Sequence, residues 1–283
     1  MIYAMSDIHG QYEQFLTLLE QIGIRKEDTL YILGDVVDRG PEPMKILKYM
    51  MAHSNIIPII GNHEVMALPN LKLLVPEISG DFLDKLPSKV YQDFADWTQN
   101  GSTSTIQDFR KLPQEERHQV VQYMKSFRPY GKEIVNGQEY WLVHAGLDHF
   151  SETKRLEEYS VDDLVWTRID YEIPYFDDII VVSGHTPTQN ILGNSRPGYI
   201  FKENHHIAID CGAGKSNGRL AAICLDTGKE YYAREMLQRA KECELEQLIH
   251  DVFCYDVTGK ILGVEDGKQE YKSYFSSAWS RIE

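Results

Sequence analysis

The chain has 283 residues, 42% apolar and 25% charged, so it is long and apolar enough to bury a substantial core, and disorder is not the expected state. A formal net charge of -14 argues against a nucleic-acid backbone or an anionic membrane as partner, because both are bound through clustered Lys and Arg. It leaves a phosphorylated substrate open, since bound divalent cations dominate the local field of a site.

In chain order, Ile2–Met5 reads as a short buried strand that breaks off into Asp7 and His9. Tyr12, Phe15, Leu16, Leu19 and Ile22 then fall at helical spacing, with Gly23 as the stop. Leu30–Leu33 is a second strand, running into Gly34-Asp35, and Pro41 and Pro43 mark the start of the helix that follows to Met51. Ile56–Ile60 is a third strand, running into Gly61-Asn62-His63. From Glu64 to Arg128 the strand pattern disappears, and Val90–Gln99 and Gln114–Phe127 read as helices of a cap inserted over residues 64–130.

Asn136-Gly137 between Lys132–Val135 and Glu139–Val143 is a two-residue hairpin signal, and the second of these strands runs into His144. Ile179–Ser183 runs into Gly184-His185. His206–Cys211, Arg219–Leu225 and Glu230–Arg234 read as an antiparallel meander. Met236–His250 reads as a helix, and Val252–Tyr255 with Ile261–Val264 as a terminal hairpin. The four cysteines, Cys211, Cys224, Cys243 and Cys254, form no CxxC pair, so a zinc knuckle or disulfide scaffold is not indicated and a reducing cytoplasm is the expected setting. No basic leader precedes Asp7, and no apolar run approaches the length of a membrane span.

Five apolar runs therefore end in oxygen or imidazole ligands, and in layered α/β folds ligands gather at the carboxyl ends of strands. Asp7 and His9 stand at i and i+2, on the same side of an extended chain. Asp35 has two carboxylate oxygens with which to bridge two cations, and Asn62, His144 and His185 supply a second cation. Donors without a thiolate suit Mn, Mg, Fe or Zn. Two such ions about 3.5–4 Å apart support in-line displacement at phosphorus by an activated water.

The motifs DIHG, GDVVDRG, GNHE, HAG and GHTP, in that order, resemble the phosphoprotein phosphatase family of calcineurin-like metallophosphoesterases, in its bacterial and phage lambda phosphatase-like branch. That branch includes the symmetrical diadenosine tetraphosphate hydrolases. The resemblance covers residues 1–228 as a catalytic domain and leaves 229–283 as an extension of unknown role. It implies an α/β fold with two central mixed β-sheets flanked by helices. It also implies two divalent ions, Mn2+ foremost with Fe, Zn or Mg as alternatives, the first bound by Asp7, His9 and Asp35 and the second by Asp35, Asn62, His144 and His185. By the same resemblance His63 is the general acid, Asp38 orients its imidazole, and Arg39 and Arg168 grip the phosphate. A proton donor such as His63 matters most for alkyl esters, whose alkoxides leave poorly.

The leading expectation is a serine/threonine protein phosphatase that hydrolyses its ester directly through a water activated by the metal pair. The alternatives are hydrolysis of diadenosine tetraphosphate or another nucleotide polyphosphate, and an inactive binding or scaffold module. The expected partner is thus a phosphoprotein or a phosphorylated small molecule, with no nucleic acid and no membrane. Gly212-Ala213-Gly214-Lys215-Ser216 mimics the end of a nucleotide P-loop, but Ile209 stands where the pattern needs glycine, so a tight turn is expected. Cys211 lacks the arginine of a tyrosine-phosphatase loop, Asn217 standing in its place, and suits buried packing. Trp97-Thr98-Gln99-Asn100-Gly101 reads equally as a helix stop or as a wall of the substrate cleft. His53, His118, His149, His205, His206 and His250 lie in none of the five motifs and are read as surface or packing residues.

Overall fold

In the computed structural model, which describes residues 1–77 and 86–233, the five apolar runs are strands that stop within a few residues of their candidate ligands. They divide between two five-stranded sheets. The first holds β1 (Ile2–Met5), β2 (Thr29–Leu33) and β3 (Ile56–Ile59) in parallel, with β9 (Ala221–Cys224) antiparallel beside β1 and β10 (Glu230–Tyr232) antiparallel beside β9, in the order β10-β9-β1-β2-β3. The second runs β4-β5-β6-β8-β7, from β4 (Gly131–Val135), β5 (Gln138–Leu142), β6 (Ile179–Ser183), β7 (Phe201–Glu203) and β8 (His206–Ala208). Strands β5, β6 and β8 are parallel, with antiparallel strands at both edges.

These strands are apolar at consecutive positions because both faces of each sheet are covered. Along β2, Leu30 and Ile32 turn to a helix-covered core, whereas Tyr31 and Leu33 turn to a core between the sheets. Ala4 of β1, Leu142 of β5 and Val182 of β6 meet them there. The outer face of the second sheet buries Trp141, Val143 and Val181 against Leu156, Tyr159 and Leu164. Each wholly buried Leu or Ile contributes about 2 kcal/mol of transfer free energy. The layers therefore stack as helices, sheet, sheet and irregular chain with short helices.

Helix α1 (Tyr12–Ile22) buries Phe15, Leu18, Leu19 and Ile22 and ends on the left-handed Gly23, as its spacing predicts. Helix α2 (Pro43–Ala52) begins on Pro43. The stretch read as a cap contains α3 (Asn62–Leu74), α4 (Ser88–Gln99), α5 (Thr103–Arg110) and α6 (Gln114–Met124). The short α7 (Val161–Val165) is capped by the Ser160 hydroxyl, which accepts the Asp163 amide. Asn136 and Gly137 both have positive φ, as their hairpin requires.

The expected three-strand meander is corrected by the pairing. Strand β8 joins the second sheet while β9 and β10 join the first, so only the last two form a hairpin. The Gly212–Gly218 turn carries the chain from one sheet to the other, and the apolar run of β8 suits either. The hairpin of β7 and β8 turns on Asn204 and His205, both at positive φ. The helix expected over Met236–His250, the hairpin after it, Cys243, Cys254 and His250 lie outside the described residues. Among the described residues no helix is long and apolar enough to cross a membrane.

Candidate metal centre

Because β1, β2 and β3 are parallel, as are β5 and β6, their carboxyl ends bring Asp7, Asp35, Asn62, His144 and His185 to one edge of the sheets. Backbone hydrogen bonds stitch the loops together: Asp7 N–H to the Gly34 carbonyl, His9 N–H to that of Asp35, and Gly184 N–H to that of His144 (2.7 Å). Glycine is required where these loops touch. At Gly184 a Cβ would collide with the Asp7 carboxylate, and at Gly34, with φ +78°, it would meet the Gly61 backbone and the His144 ring. Asp7, His9, Asp35, Asp38, Arg39 and His185 all have φ between 45° and 71°, a region costly for residues with a Cβ. Such a concentration of strain marks one cluster of loops held open to present side chains.

Asp35 lies at the middle of this cluster. Its Oδ2 is 3.6 Å from His9 Nε2 and 3.8 Å from His63 Nε2, while its Oδ1 is 3.4 Å from His144 Nε2. Two groups of donors result, His9 with Asp35 and His63, and Asp35 with His144 and His185. The side chains of Asp7, His9, Asp35, Asn62 and His144 are buried. A third group, Asp148, His149 and Asp163, is more exposed, and Asp163 is already engaged with the Ser160 amide.

The donor set fits cations. His9 Nδ1–H donates to the Val37 carbonyl (2.9 Å) and His144 Nδ1–H to that of Leu33 (2.7 Å), which turns each Nε2 lone pair into the cluster. His144 Nε2 lies 2.8 Å from Asn62 Oδ1, and His185 Nδ1 3.0 Å from the same oxygen. Acceptors thus converge on acceptors, with Asp35 Oδ1 nearby. Burial, with Arg39 adding to it, holds the His9 imidazole well below its ordinary range, and burial likewise lowers His144. Burial and the charges of His144 and Arg168 bring His185 down to about 3. Burial pushes the carboxyls of Asp7 and Asp35 up to about 6, with the charge of Asp35 adding to the effect on Asp7. Neutral imidazoles beside carboxyls that resist ionisation describe a cavity short of positive charge, which one or two divalent ions would supply.

His63, at the start of α3, is also buried. Its Nδ1–H donates to Asp38 Oδ2 at 2.7 Å. Burial alone would lower its basicity, but the Asp35 and Asp38 carboxylates outweigh that and raise it. The Arg39 guanidinium reaches His9 Nε2 (2.5 Å) and His63 Nε2 (3.0 Å). Arg168 Nη1–H donates to Thr186 Oγ1 (3.1 Å), next to His185. Every residue singled out in the five motifs thus lies at or beside one cluster. Asp7 turns its Oδ2 to the His185 amide (3.0 Å) and belongs to neither three-residue donor group.

Three contributions to the geometry of the cluster were not assigned from the sequence. Glu64 is wholly buried, and its carboxylate accepts the amides of Asp35, Val36, Val37 and Gly61. Standing three residues after the N-cap Gly61, it accepts that residue's amide, but glycine offers no side chain to complete the capping-box signature. Asp210 is buried at the end of β8, and burial followed by the charge of Asp7 raises its carboxyl well above the ordinary range. It follows an apolar run just as the other strand-tip residues do. Trp97 and Thr105, from α4 and α5, bind Asp38. The residues read as bland stay so: His206 is buried against the Ile173 carbonyl, Cys211 is buried with its thiol pushed up by that burial, and residues 212–218 form a tight turn.

The model of the calcineurin-like phosphoesterase family matches residues 1–212. A symmetrical bis(5'-nucleosyl)-tetraphosphatase of Buchnera aphidicola subsp. Acyrthosiphon pisum (strain 5A) is 45% identical over 65 residues, 22% of this chain and 24% of that protein. Its counterpart in Buchnera aphidicola subsp. Schizaphis graminum is 32% identical over 114 residues, 39% and 42% of the two chains. The chain spans less than half the length of these curated relatives. A solved structure named as a candidate diadenosine tetraphosphatase superposes with a TM-score of 0.54 at 17% identity, covering 82% of this chain and 91% of that one, a likeness of fold.

Proposed function

The chain belongs to the calcineurin-like phosphoesterase family, and from that premise we propose that it hydrolyses dinucleoside polyphosphates, diadenosine tetraphosphate foremost, at a dinuclear metal centre. The observation that carries the chemistry is Asp35, whose two oxygens face two separate groups of donors. The nucleotide substrate is supported by the curated relatives, both symmetrical bis(5'-nucleosyl)-tetraphosphatases. This preference departs from the protein phosphatase expected from the motifs.

In this reading Asp7, His9 and Asp35 hold one ion, and Asp35, Asn62, His144 and His185 the other, Mn2+ being the first candidate. When bound, the pair supplies Lewis acidity toward phosphoryl oxygens and activates the attacking water. Arg39, already at the rim of the cluster, and Arg168 hold the phosphate oxygens, a task suited to a planar guanidinium. His63 delivers its Nε2 proton to the departing oxygen, and Asp38 keeps the ring turned for that transfer. Residues 1–228 form the catalytic part with 64–130 as its cap, within the branch that resembles phage lambda phosphatase. The buried free thiols Cys211 and Cys224 suit a reducing cytoplasm.

A specific observation favours the second reading, serine/threonine phosphatase. The His63–Asp38 pair is buried and tightly bonded, and a proton donor helps most where the leaving group is an alkoxide. The deciding experiment is a competition panel of phosphopeptides and dinucleoside polyphosphates on purified protein with defined Mn2+. Higher kcat/KM for diadenosine tetraphosphate supports the proposal. Higher kcat/KM for phosphopeptides replaces it with the phosphatase reading, and inertness in Mn2+, Mg2+, Zn2+ and Fe2+ alike replaces both with a scaffold.

A further inference from the structure

Helices α4 and α5 reach the cluster through Asp38 and Arg39. The Trp97 indole N–H donates to Asp38 Oδ2 (2.9 Å), the same oxygen that binds His63. The Thr105 hydroxyl donates to Asp38 Oδ1 (2.7 Å) and its oxygen accepts the Asp38 amide (2.8 Å). The Arg39 amide donates to the Gly101 carbonyl (2.9 Å), from the turn joining the two helices. Four bonds from one helical pair therefore end on two consecutive residues.

Those two residues need holding. Asp38 and Arg39 have φ of 71° and 68°, successive left-handed positions outside glycine. Asp38, Trp97 and Thr105 are each fully buried, so water cannot replace the bonds. Gly101 has φ +99°, and a Cβ there would press 3.1 Å from Arg39 Cγ. The turn lies against the base of the arginine.

We propose that Trp97, Thr105 and the Gly101 carbonyl form a positioning brace by which the cap holds Asp38 and Arg39 in their strained backbone, aiming the His63 proton and the Arg39 guanidinium at the same phosphoryl group. This inference deepens the reading of His63 as proton donor and rests on it. None of the three braces touches substrate. A movement of the cap would, through Asp38, turn the His63 ring as well as reshape the cleft.

The test compares wild type with Trp97→Phe, Thr105→Val and Thr105→Ser on p-nitrophenyl phosphate and phenyl phosphate, with Mn2+ content measured for each. Loss of aim should matter little for the good leaving group and much for the poor one. The expected result is a kcat loss of about tenfold or more on phenyl phosphate for Trp97→Phe and Thr105→Val, about threefold or less on p-nitrophenyl phosphate, with bound metal unchanged. Thr105→Ser, which keeps the hydroxyl, should stay near wild type on both. Equal losses on the two esters, or losses that track missing metal, would overturn the brace in favour of a packing role. A second readout needs no turnover: the His63 ring N–H proton resonance of the full chain with Mg2+, assigned by its loss in His63→Asn. It should move or broaden in Trp97→Phe and Thr105→Val and stay in Thr105→Ser. An unmoved resonance overturns the brace, whereas a moved one in a protein that cleaves neither ester nor diadenosine tetraphosphate keeps the brace and refutes the proposed activity.

Discussion

Glu64 holds the Asp35 amide at 2.8 Å through Oε2, while its other oxygen takes the Val36 amide at 2.8 Å, so a glutamate in the first turn of α3 sets the loop that presents the central carboxylate. Glu64→Gln keeps the shape but turns an NH2 group toward amides that are themselves donors. At least one buried amide then loses its acceptor, which costs about 1–3 kcal/mol. Urea unfolding should show that loss, and calorimetric titration of the metal-free protein should show weaker Mn2+ binding. Unchanged stability and affinity would mean that the loop holds its own shape.

Metal-free protein should become less stable as pH rises through the window from about 4 to about 6. Asp7 and Asp35, whose ordinary carboxyls ionise near 3.8, are raised to about 6 in the fold. Between those values the folded chain holds protons that the unfolded chain has released, so stability falls with rising pH. The contribution is present below the unfolded pKa and is gone above about 6. Mn2+ competes for the same oxygens and should reverse the slope by favouring the ionised forms. Urea midpoints of EDTA-treated protein from pH 4 to 7, with and without Mn2+, check this, and Asp7→Asn should flatten the metal-free curve.

The candidate ligands at the strand tips were legible because each follows on an apolar run, and the chain's own order carries that information. The backbone that makes them a cluster was not legible. Asp7, His9, Asp35 and His185 adopt positive φ without being glycine, and nothing local distinguishes them from ordinary extended residues. Trp97 and Thr105 lie 59 and 67 positions from Asp38, a pairing that only folding discloses. Asn204-His205 makes a tight hairpin without the Asn-Gly signature, and the missing glycine hid β7. The meander failed for a related reason: continuous apolar runs mark β8 and β9 as strands but are silent on which sheet each joins.

His63→Asn removes the proton donor while preserving a side chain able to reach Asp38. An alkyl phosphoester such as a phosphoserine peptide should lose about 10²–10⁴-fold in kcat, the usual span for general acid catalysis. Diadenosine tetraphosphate, whose leaving group is a nucleotide phosphate, should lose less. Steady-state kinetics on both substrates at fixed Mn2+ provide the comparison. A loss confined to the nucleotide would refute the assignment of His63 as donor to a poor leaving group.

Arg39 bridges two imidazoles of one donor group, with Nη1 at His9 Nε2 and Nη2 at His63 Nε2. Those nitrogens mark the separation over which its fork works, and two phosphate oxygens fit the same fork. Arg39→Lys keeps the charge but replaces the fork with a single ammonium. Losing one charged hydrogen bond costs about 1.5–3 kcal/mol, so kcat/KM should fall about 10–100-fold. Inorganic phosphate should weaken as an inhibitor in parallel, because it lacks a leaving group and reports the clamp alone. A fall in kcat/KM with unchanged phosphate inhibition would move Arg39 from binding to transition-state contact. Guanidinium supplied in solution to Arg39→Ala would separate the two roles further, since it can restore the fork without the Arg39 side-chain tether.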